Sequence, residues 1–477
     1  MPKESLKNKT VKGIGWSAVE KFSGHGIQFL VTLVIARILT PKDFGLVGMM
    51  AVFIAIAQAL VDSGFAEALI RKQDRTEADK CTVFYFNIAI STFLYSILFF
   101  IAPLVAEFYK EPQLVQLMRV LCLVVIINSF GAIQRVIFCV SINFKTQAKA
   151  SLIASVASGI GGIILAYLGY GVWALVIQQI LNSIFAVLLL WFFSNWRPQL
   201  LYSWKSFREL FAFGSNLLIS SLINSLYNNI YQIVIGKIFS ATSLGYFSQA
   251  KQFTALPSTH ITGIFSRVTY PVLSSIQNNN EHLAKNYRKI LRTTAFAVFP
   301  LMCGLAAIAQ PLIRLLLGEK WMFAATLIVP LSFAMMWYPI HSINVNLLKV
   351  KGRSDLFLKL EIIKKIIGIL VLVVSIPFGL QFMCWLRIVS SLIALFINTY
   401  YTGKLINVGY SKQMRDLLPT LTLSLLMYGL SSISMKIIAV EWLQIILATI
   451  TGIIFYFSVA YIFKLKELSY LKSLIKK

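Results

Sequence analysis

Apolar residues run along this chain in long, nearly continuous stretches separated by short polar gaps. A helix needs about 20 apolar residues to cross the hydrocarbon of a bilayer, and fourteen stretches reach roughly that length. The first six are Gly13–Leu39, Phe44–Asp62, Cys81–Ala106, Gln116–Phe138, Lys149–Leu168 and Gly171–Phe193. The next six are Leu210–Phe239, Leu244–Ile276, Ile290–Leu317, Met322–Lys349, Leu356–Phe378 and Phe382–Tyr401. The last two are Leu417–Lys436 and Trp442–Phe463. Without water to satisfy the backbone, a spanning segment must be a helix or a strand of a closed barrel. These stretches are too long and too continuously apolar for barrel strands of about ten alternating residues. The pattern predicts an all-α integral membrane protein with about fourteen transmembrane helices.

Composition agrees: 58% of residues are hydrophobic and 13% charged. The charges add direction. With the N-terminus cytoplasmic, the inside segments hold 29 Lys and Arg and the outside segments 5. Such a bias over short loops is the positive-inside signal, and one missed helix would scramble it. Both termini are therefore expected in the cytoplasm. The net charge of +26 follows from this topology and from anionic lipid, so no nucleic-acid partner is needed. Met1–Lys12 is polar, and the first span carries Glu20 and Lys21 with no small-residue cleavage site, so no cleavable signal peptide is expected. The five cysteines sit in or beside apolar spans at unrelated spacings and read as small buried apolar residues. No metal or cofactor is expected.

The chain repeats itself. Val34-Ile35-Ala36-Arg37-Ile38-Leu39-Thr40 matches Val234-Ile235-Gly236-Lys237-Ile238-Phe239-Ser240 at an offset of 200 residues, and Gly45 and Gly245 continue the match. The matched segments end spans one and seven, which have the same orientation. This predicts two pseudo-symmetric six-helix lobes related by an axis along the membrane normal, a transporter arrangement. The expected divisions are 1–194 for the N-terminal lobe, 195–209 for a cytoplasmic linker, 210–402 for the C-terminal lobe, and 403–477 for two further helices and a basic tail.

The offset extends to polar faces. Ser17, Lys21, Gly24 and Gln28 share a face of span one, with Glu20 beside it. Asn216, Ser220, Asn224 and Asn228 form an i, i+4 stripe on span seven. Polar residues are costly against lipid, so such stripes face protein or a water-filled cavity. Helix–helix packing is the competing explanation, but matching stripes over several turns favour a cavity. Span eight is the most polar. Lys251, Thr254, Ser258, Thr262 and Ser266 follow one face, with His260 and Arg267 nearby and Pro257 and Pro271 interrupting it. Arg267 lies about 160° round an ideal helix from Lys251, so the two share a cavity only if the helix bends.

A charge at the bilayer centre costs roughly 2.5–3.5 kcal/mol on the insertion scale. Lys251 and Arg267 are the leading functional candidates, followed by Lys21 with Glu20. Arg135 and Arg387 lie nearer span ends, and Asp62 reads as part of a structured turn. Acidic residues within spans are few. A cationic cavity suits an anionic cargo, with phosphate or pyrophosphate the natural partner of Lys and Arg. The loops are short, with no nucleotide-binding loop, zinc-protease motif or large outside domain. No enzymatic activity is expected, and the driving force must be an ion gradient, the membrane potential or product removal.

Several motifs point to one family. Ala36-Arg37-Ile38-Leu39-Thr40-Pro41-Lys42-Asp43-Phe44-Gly45 resembles the end of the first helix of Wzx-type polysaccharide flippases. Asp62-Ser63-Gly64-Phe65-Ala66-Glu67-Ala68-Leu69-Ile70-Arg71 resembles the turn after their second helix. Leu244-Gly245-Tyr246-Phe247-Ser248-Gln249-Ala250-Lys251 and Arg267-Val268-Thr269-Tyr270-Pro271-Val272-Leu273-Ser274 resemble their eighth. The resemblance runs from about Lys9 to about Tyr400. It implies the multidrug/oligosaccharidyl-lipid/polysaccharide exporter fold, and flipping of an undecaprenyl-pyrophosphate-linked oligosaccharide across a bacterial inner membrane by alternating access. Partners would be the lipid-linked oligosaccharide, membrane lipids, and a polysaccharide polymerase and glycosyltransferases. Helices thirteen and fourteen match fourteen-helix members, and in related lipid II flippases such helices contribute a groove for the lipid tail. The cavity candidates are Lys251, Arg267, Lys21, Glu20, Gln28, Asn224, Asn228 and His260. A cation-coupled multidrug antiporter of the same fold is the alternative, and a glycan polymerase or ligase a distant third.

Overall fold

The computed structural model describes residues 24, 26–62, 64–465, 467 and 468, with the backbone alone for 213, 216, 217, 264, 267 and 268. Every regular element among the described residues is helical. The first are α1 (Gly26–Ile38), α2 (Pro41–Asp62), α3 (Phe65–Arg71), α4 (Glu77–Tyr109), α5 (Leu114–Leu121), α6 (Leu123–Phe130) and α7 (Ala132–Val140). Then follow α8 (Phe144–Tyr167), α9 (Val172–Phe193), α10 (Trp204–Ile238), α11 (Ala241–Ser275), α12 (Asn280–Ala307) and α13 (Ala309–Leu317). The chain ends with α14 (Met322–Met335), α15 (Tyr338–Val350), α16 (Ser354–Ser375), α17 (Leu380–Ile406), α18 (Tyr410–Ser434) and α19 (Glu441–Ile462).

Among the described residues, ten helical stretches are long and apolar enough to cross a membrane. The other four expected spans are also helical where described: α1, α10, α11 and α16. α11 is less apolar because of the polar face noted above, and α16 carries Lys359, Glu361, Lys364 and Lys365. The internal repeat is visible in the backbone, since Pro41 and Ala241, 200 residues apart, each open the helix that follows a matched segment.

Spans nine and ten are expected as continuous helices, but both are interrupted. α12 stops before α13, where Pro311 lacks an N–H for the preceding turn. α14 stops before α15, which carries Pro339 in its first turn, a position proline tolerates. Span four is divided at Cys122 and Gly131.

The chain divides into two compact units, Met1–Gly245 and Tyr246–Lys477. In the first, α8 packs along α9, and its buried residues are small, among them Ala148, Ser155, Gly159, Gly162 and Ala166. Small side chains let membrane helices approach closely and gain dispersion contacts where lipid offers no hydrophobic drive. A Cβ on Gly162 would sit 2.8 Å from the Gln178 side chain, and one on Gly159 2.5 Å from Val31 of α1.

Residues 195–209 are docked. Trp196 Nε1 donates to Glu77 Oε2 at 2.8 Å, Ser203 N to Thr82 Oγ1 at 2.9 Å, and Tyr85 Oη to Gln199 O at 3.0 Å. Lys72 bridges Asp79 at 3.2 Å and Glu209 at 3.1 Å. Burial pulls the Lys72 pKa down, but its bonds to Glu209 and Asp79 outweigh this and hold it above the ordinary lysine value. Thr76 and Asp79 close a capping box at the start of α4.

The second unit is organised around Tyr287, Phe299, Trp337 and Leu347, all buried. Its polar core is reciprocal: Asn344 and Gln413 exchange amide hydrogen bonds at 3.0 Å in each direction, and Thr402 donates to Asn344 Oδ1 at 2.9 Å. Paired amides remove the penalty of polar groups away from water.

Candidate functional site

The first unit contains polar cavities inside its own helix bundle. One, of about 340 Å³, is lined by Asn128, Arg135, Gln147, Ser151, Ser155 and Asn182 among others. The second, of about 490 Å³, shares Asn128 and Arg135 and adds Gln58, Asp62 and Gln179. The division of span four builds this place. It ends α6 at Phe130, and Arg135 Nη2 donates to Asn128 O at 2.8 Å, a carbonyl near the interrupted helix end. Gln147 Nε2 donates in turn to Arg135 O at 2.9 Å. Gln58 Nε2 donates to Asp62 Oδ1 at 3.2 Å. Arg135 and Asp62 attract each other across the second cavity.

The sequence places Arg135 near a span end and Asp62 in a turn. The sequence marks their neighbours and not the pairing of the two. Gln58 and Asp62 are spaced i, i+4, as are Gln147, Ser151 and Ser155, while Gln179 and Asn182 are spaced i, i+3. Only convergence of the helices shows that these short stripes line two cavities that share Asn128 and Arg135.

In the second unit α11 carries a mixed face. Thr254, Ser258 and Thr262 are buried. Thr254 Oγ1 donates to Ala250 O at 2.9 Å, Thr262 Oγ1 to Ser258 O at 2.7 Å, and Ser258 Oγ to Met335 O at 2.8 Å. Ser266 lies 3.2 Å from Ser342. Ser258 and Ser266 therefore bond across to other helices, while the Thr254 and Thr262 hydroxyls are satisfied by carbonyls of α11 itself. Lys251 and His260 are only partly buried. The cation acting on Lys251 is Arg387 of α17, whose guanidinium stands 6.0 Å from the Phe247 ring centre.

Of the remaining candidates, Asn224 and Asn228 are exposed on α10, where no residue from Ser221 to Asn229 is buried. Gln28 is half-buried, and its Oε1 has no hydrogen-bond partner among the described residues. Glu20 and Lys21 lie outside the described residues, as does the side chain of Arg267.

The second unit also holds an apolar cavity of about 640 Å³ between α11, α12, α18 and α19. Its lining includes Phe253, Pro300, Gly304, Met427, Gly452 and Phe457. α18 and α19, the last two expected spans, form part of its wall.

Comparison with known proteins places this architecture. The chain is 25% identical over 434 residues to the teichuronic acid biosynthesis protein TuaB of Bacillus subtilis (strain 168), covering 90% of each. It is 25% identical over 373 residues to the lipopolysaccharide biosynthesis protein WzxC of Escherichia coli (strain K12), covering 78% of this chain and 76% of that protein. Among solved structures, the inward closed conformation of the lipid II flippase MurJ aligns with a TM-score of 0.76 at 16% identity, over 94% of this chain and 98% of MurJ. An inward-facing multidrug resistance MATE family transporter aligns at 0.62 and 16% identity, over 83% of this chain and all of that one. At such identities the structural likeness shows the fold, which is a transporter fold. The family model described as "Polysaccharide biosynthesis protein" matches residues 34–326, and this multi-pass membrane protein belongs to that family.

Proposed function

We propose that the chain flips an undecaprenyl-pyrophosphate-linked oligosaccharide across a bacterial inner membrane, by alternating access, for surface polysaccharide biosynthesis. The observation that carries this reading is the cationic character of its membrane-embedded polar surfaces: Lys251 with Arg387 in the second unit, and Arg135 in the first. Like charges kept together in a low-dielectric region are stabilised by an anion. A pyrophosphate supplies it, and Arg and Lys recognise it. The Asn, Gln and Ser side chains around Arg135 offer the paired donors and acceptors that sugar hydroxyls need. The apolar groove between α11, α12, α18 and α19 suits the polyprenyl tail.

In this reading fourteen helices span the membrane with both termini cytoplasmic. The two six-helix lobes are 1–194 and 210–402, joined by 195–209 and followed by 403–477. Lys21, Glu20, Gln28, Asn224, Asn228, His260 and Arg267 belong to the cargo path. A polymerase and glycosyltransferases act on the same glycan. The test is complementation of a strain lacking its own flippase for a cognate glycan. Restored surface polysaccharide, with loss of lipid-linked oligosaccharide from the cytoplasmic leaflet, is the expected result; persistent accumulation despite normal insertion overturns the proposal.

One observation favours a second reading, a cation-coupled multidrug antiporter. Asp62 places a carboxylate in the polar cavity of the first unit. Drug efflux that depends on a proton or sodium gradient and is abolished by Asp62→Asn would establish it.

A further inference from the structure

The ends of α12, α17 and α18 meet around a cavity of about 740 Å³ in the second unit. Lys285, Arg288, Arg292, Lys404 and Lys412 line it, with Glu281 as the one lining carboxylate. Two of the five cations are held by carboxylates. Asp416 accepts from Arg288 Nε at 2.6 Å and Nη2 at 2.7 Å. Arg292 pairs with Glu467 at 3.3 Å and stands 4.0 Å from Asp416. Asp416 is buried, whereas the Arg288 side chain keeps 41% exposure. The carboxylate therefore fixes a guanidinium that remains accessible. Lys285, Lys404 and Lys412 are exposed, and Lys285 has no ion pair among the described residues. Leu405, partly buried, adds apolar surface to the same wall.

Five cations thus stand against three carboxylates, Glu281, Asp416 and Glu467, around one concave space. A positioned guanidinium fork with exposed ammonium groups beside it, Lys412 donating to Asn407 O and Lys404 lying over the Tyr400 ring, is phosphate-recognition chemistry. The location is the end of membrane helices, where basic pockets meet the headgroups of anionic lipids. We infer that this cavity binds the phosphate headgroup of an anionic amphiphile in the adjoining leaflet, with the tail running past Leu405. The two sources of that headgroup are a bilayer phospholipid and a polyprenyl diphosphate.

The test compares the full chain with a Lys285→Gln, Lys404→Gln, Lys412→Gln variant, which leaves the Arg288–Asp416 pair intact. Lipid binding is measured by native mass spectrometry with phosphatidylglycerol, undecaprenyl diphosphate and phosphatidylcholine. A control variant replaces the exposed Lys145, Lys205 and Lys359 by Gln. The expected result is at least tenfold weaker binding of the anionic lipids in the first variant alone, unchanged phosphatidylcholine binding, and displacement of bound lipid by inorganic pyrophosphate. Whichever anionic lipid loses more affinity is the source. Equal binding by all three proteins, or equal weakening in the control, overturns the assignment. Because this measurement does not involve export, a failed complementation assay leaves it standing.

Discussion

Gly45 and Gly245 occupy reciprocal positions at a crossing of two helix starts. A Cβ on Gly45 would sit 1.7 Å from the carbonyl oxygen of Ala241, and a Cβ on Gly245 would sit 1.8 Å from that of Pro41. Pro41 and Ala241 are themselves 200 residues apart, like the two glycines. Each repeat thus contributes one glycine and one carbonyl to the same contact, as a local two-fold requires. Backbone this close admits Cα–H···O contacts and excludes any side chain.

Gly45→Ala or Gly245→Ala should therefore destabilise strongly, by about 1–3 kcal/mol or more, because the obstacle is backbone and not a flexible side chain. Gly429→Ala has nothing within 4 Å and serves as the neutral comparison. Thermal unfolding of the detergent-purified protein distinguishes these outcomes, and an unchanged midpoint for Gly45→Ala contradicts the crossing.

Arg135 should matter to transport more than its place near a span end suggests. Arg135→Gln removes the charge shared by the two polar cavities and a charge-assisted bond of about 1.5–3 kcal/mol, so export should fall roughly tenfold or more at normal protein level. Arg135→Lys should retain part of it, since charge survives while fork geometry is lost. Full export by Arg135→Gln would remove this cavity from the cargo path.

For Lys251 and Arg267, neutralising either should weaken surface-polysaccharide export with normal insertion. Lys251→Arg and Arg267→Lys should keep more activity than the alanine variants, and reversal to Glu should be worst, because a carboxylate repels phosphate. Lipid-linked oligosaccharide should accumulate in the cytoplasmic leaflet. Normal export from a Lys251→Ala, Arg267→Ala double variant refutes both assignments.

The apolar groove offers a steric test. Gly304 lines it, and a Cβ there meets only the Met427 side chain, at 3.9 Å. Gly304→Phe should fill the groove without a backbone clash, leaving the melting midpoint within a few degrees while lowering export. If export is unaffected although the groove is filled, the tail runs elsewhere.

Topology can be read with reporter fusions. Those placed after Lys110, Lys320 and Lys436 should report the outside, and those after Lys80, Lys289 and Lys412 the cytoplasm. A consistent inversion at any point along the chain defeats the fourteen-helix assignment.

The helical class, the membrane environment and the 200-residue repeat were all legible in the sequence. Each depends on local composition, which fixes whether a segment tolerates lipid and how its own faces are arranged. The spans broken near Pro311 and Pro339 were legible in principle, because proline acts on its own turn. Asp62 and Arg135 were not, since they lie in different helices more than seventy residues apart.

What the sequence determined by itself was the solvent each helix needs and the periodic polar stripes on α10 and α11. Tertiary structure decided what each stripe does. On α11 it buried Thr254 and Thr262 and joined Ser258 to the Met335 carbonyl of α14, and on α10 it left Asn224 and Asn228 exposed. It also gathered Gln58, Asp62, Asn128 and Arg135 around one cavity. The physical reason is that a polar side chain's cost in a membrane depends on the partner opposite it, and which helix lies opposite is a property of packing that no single segment encodes.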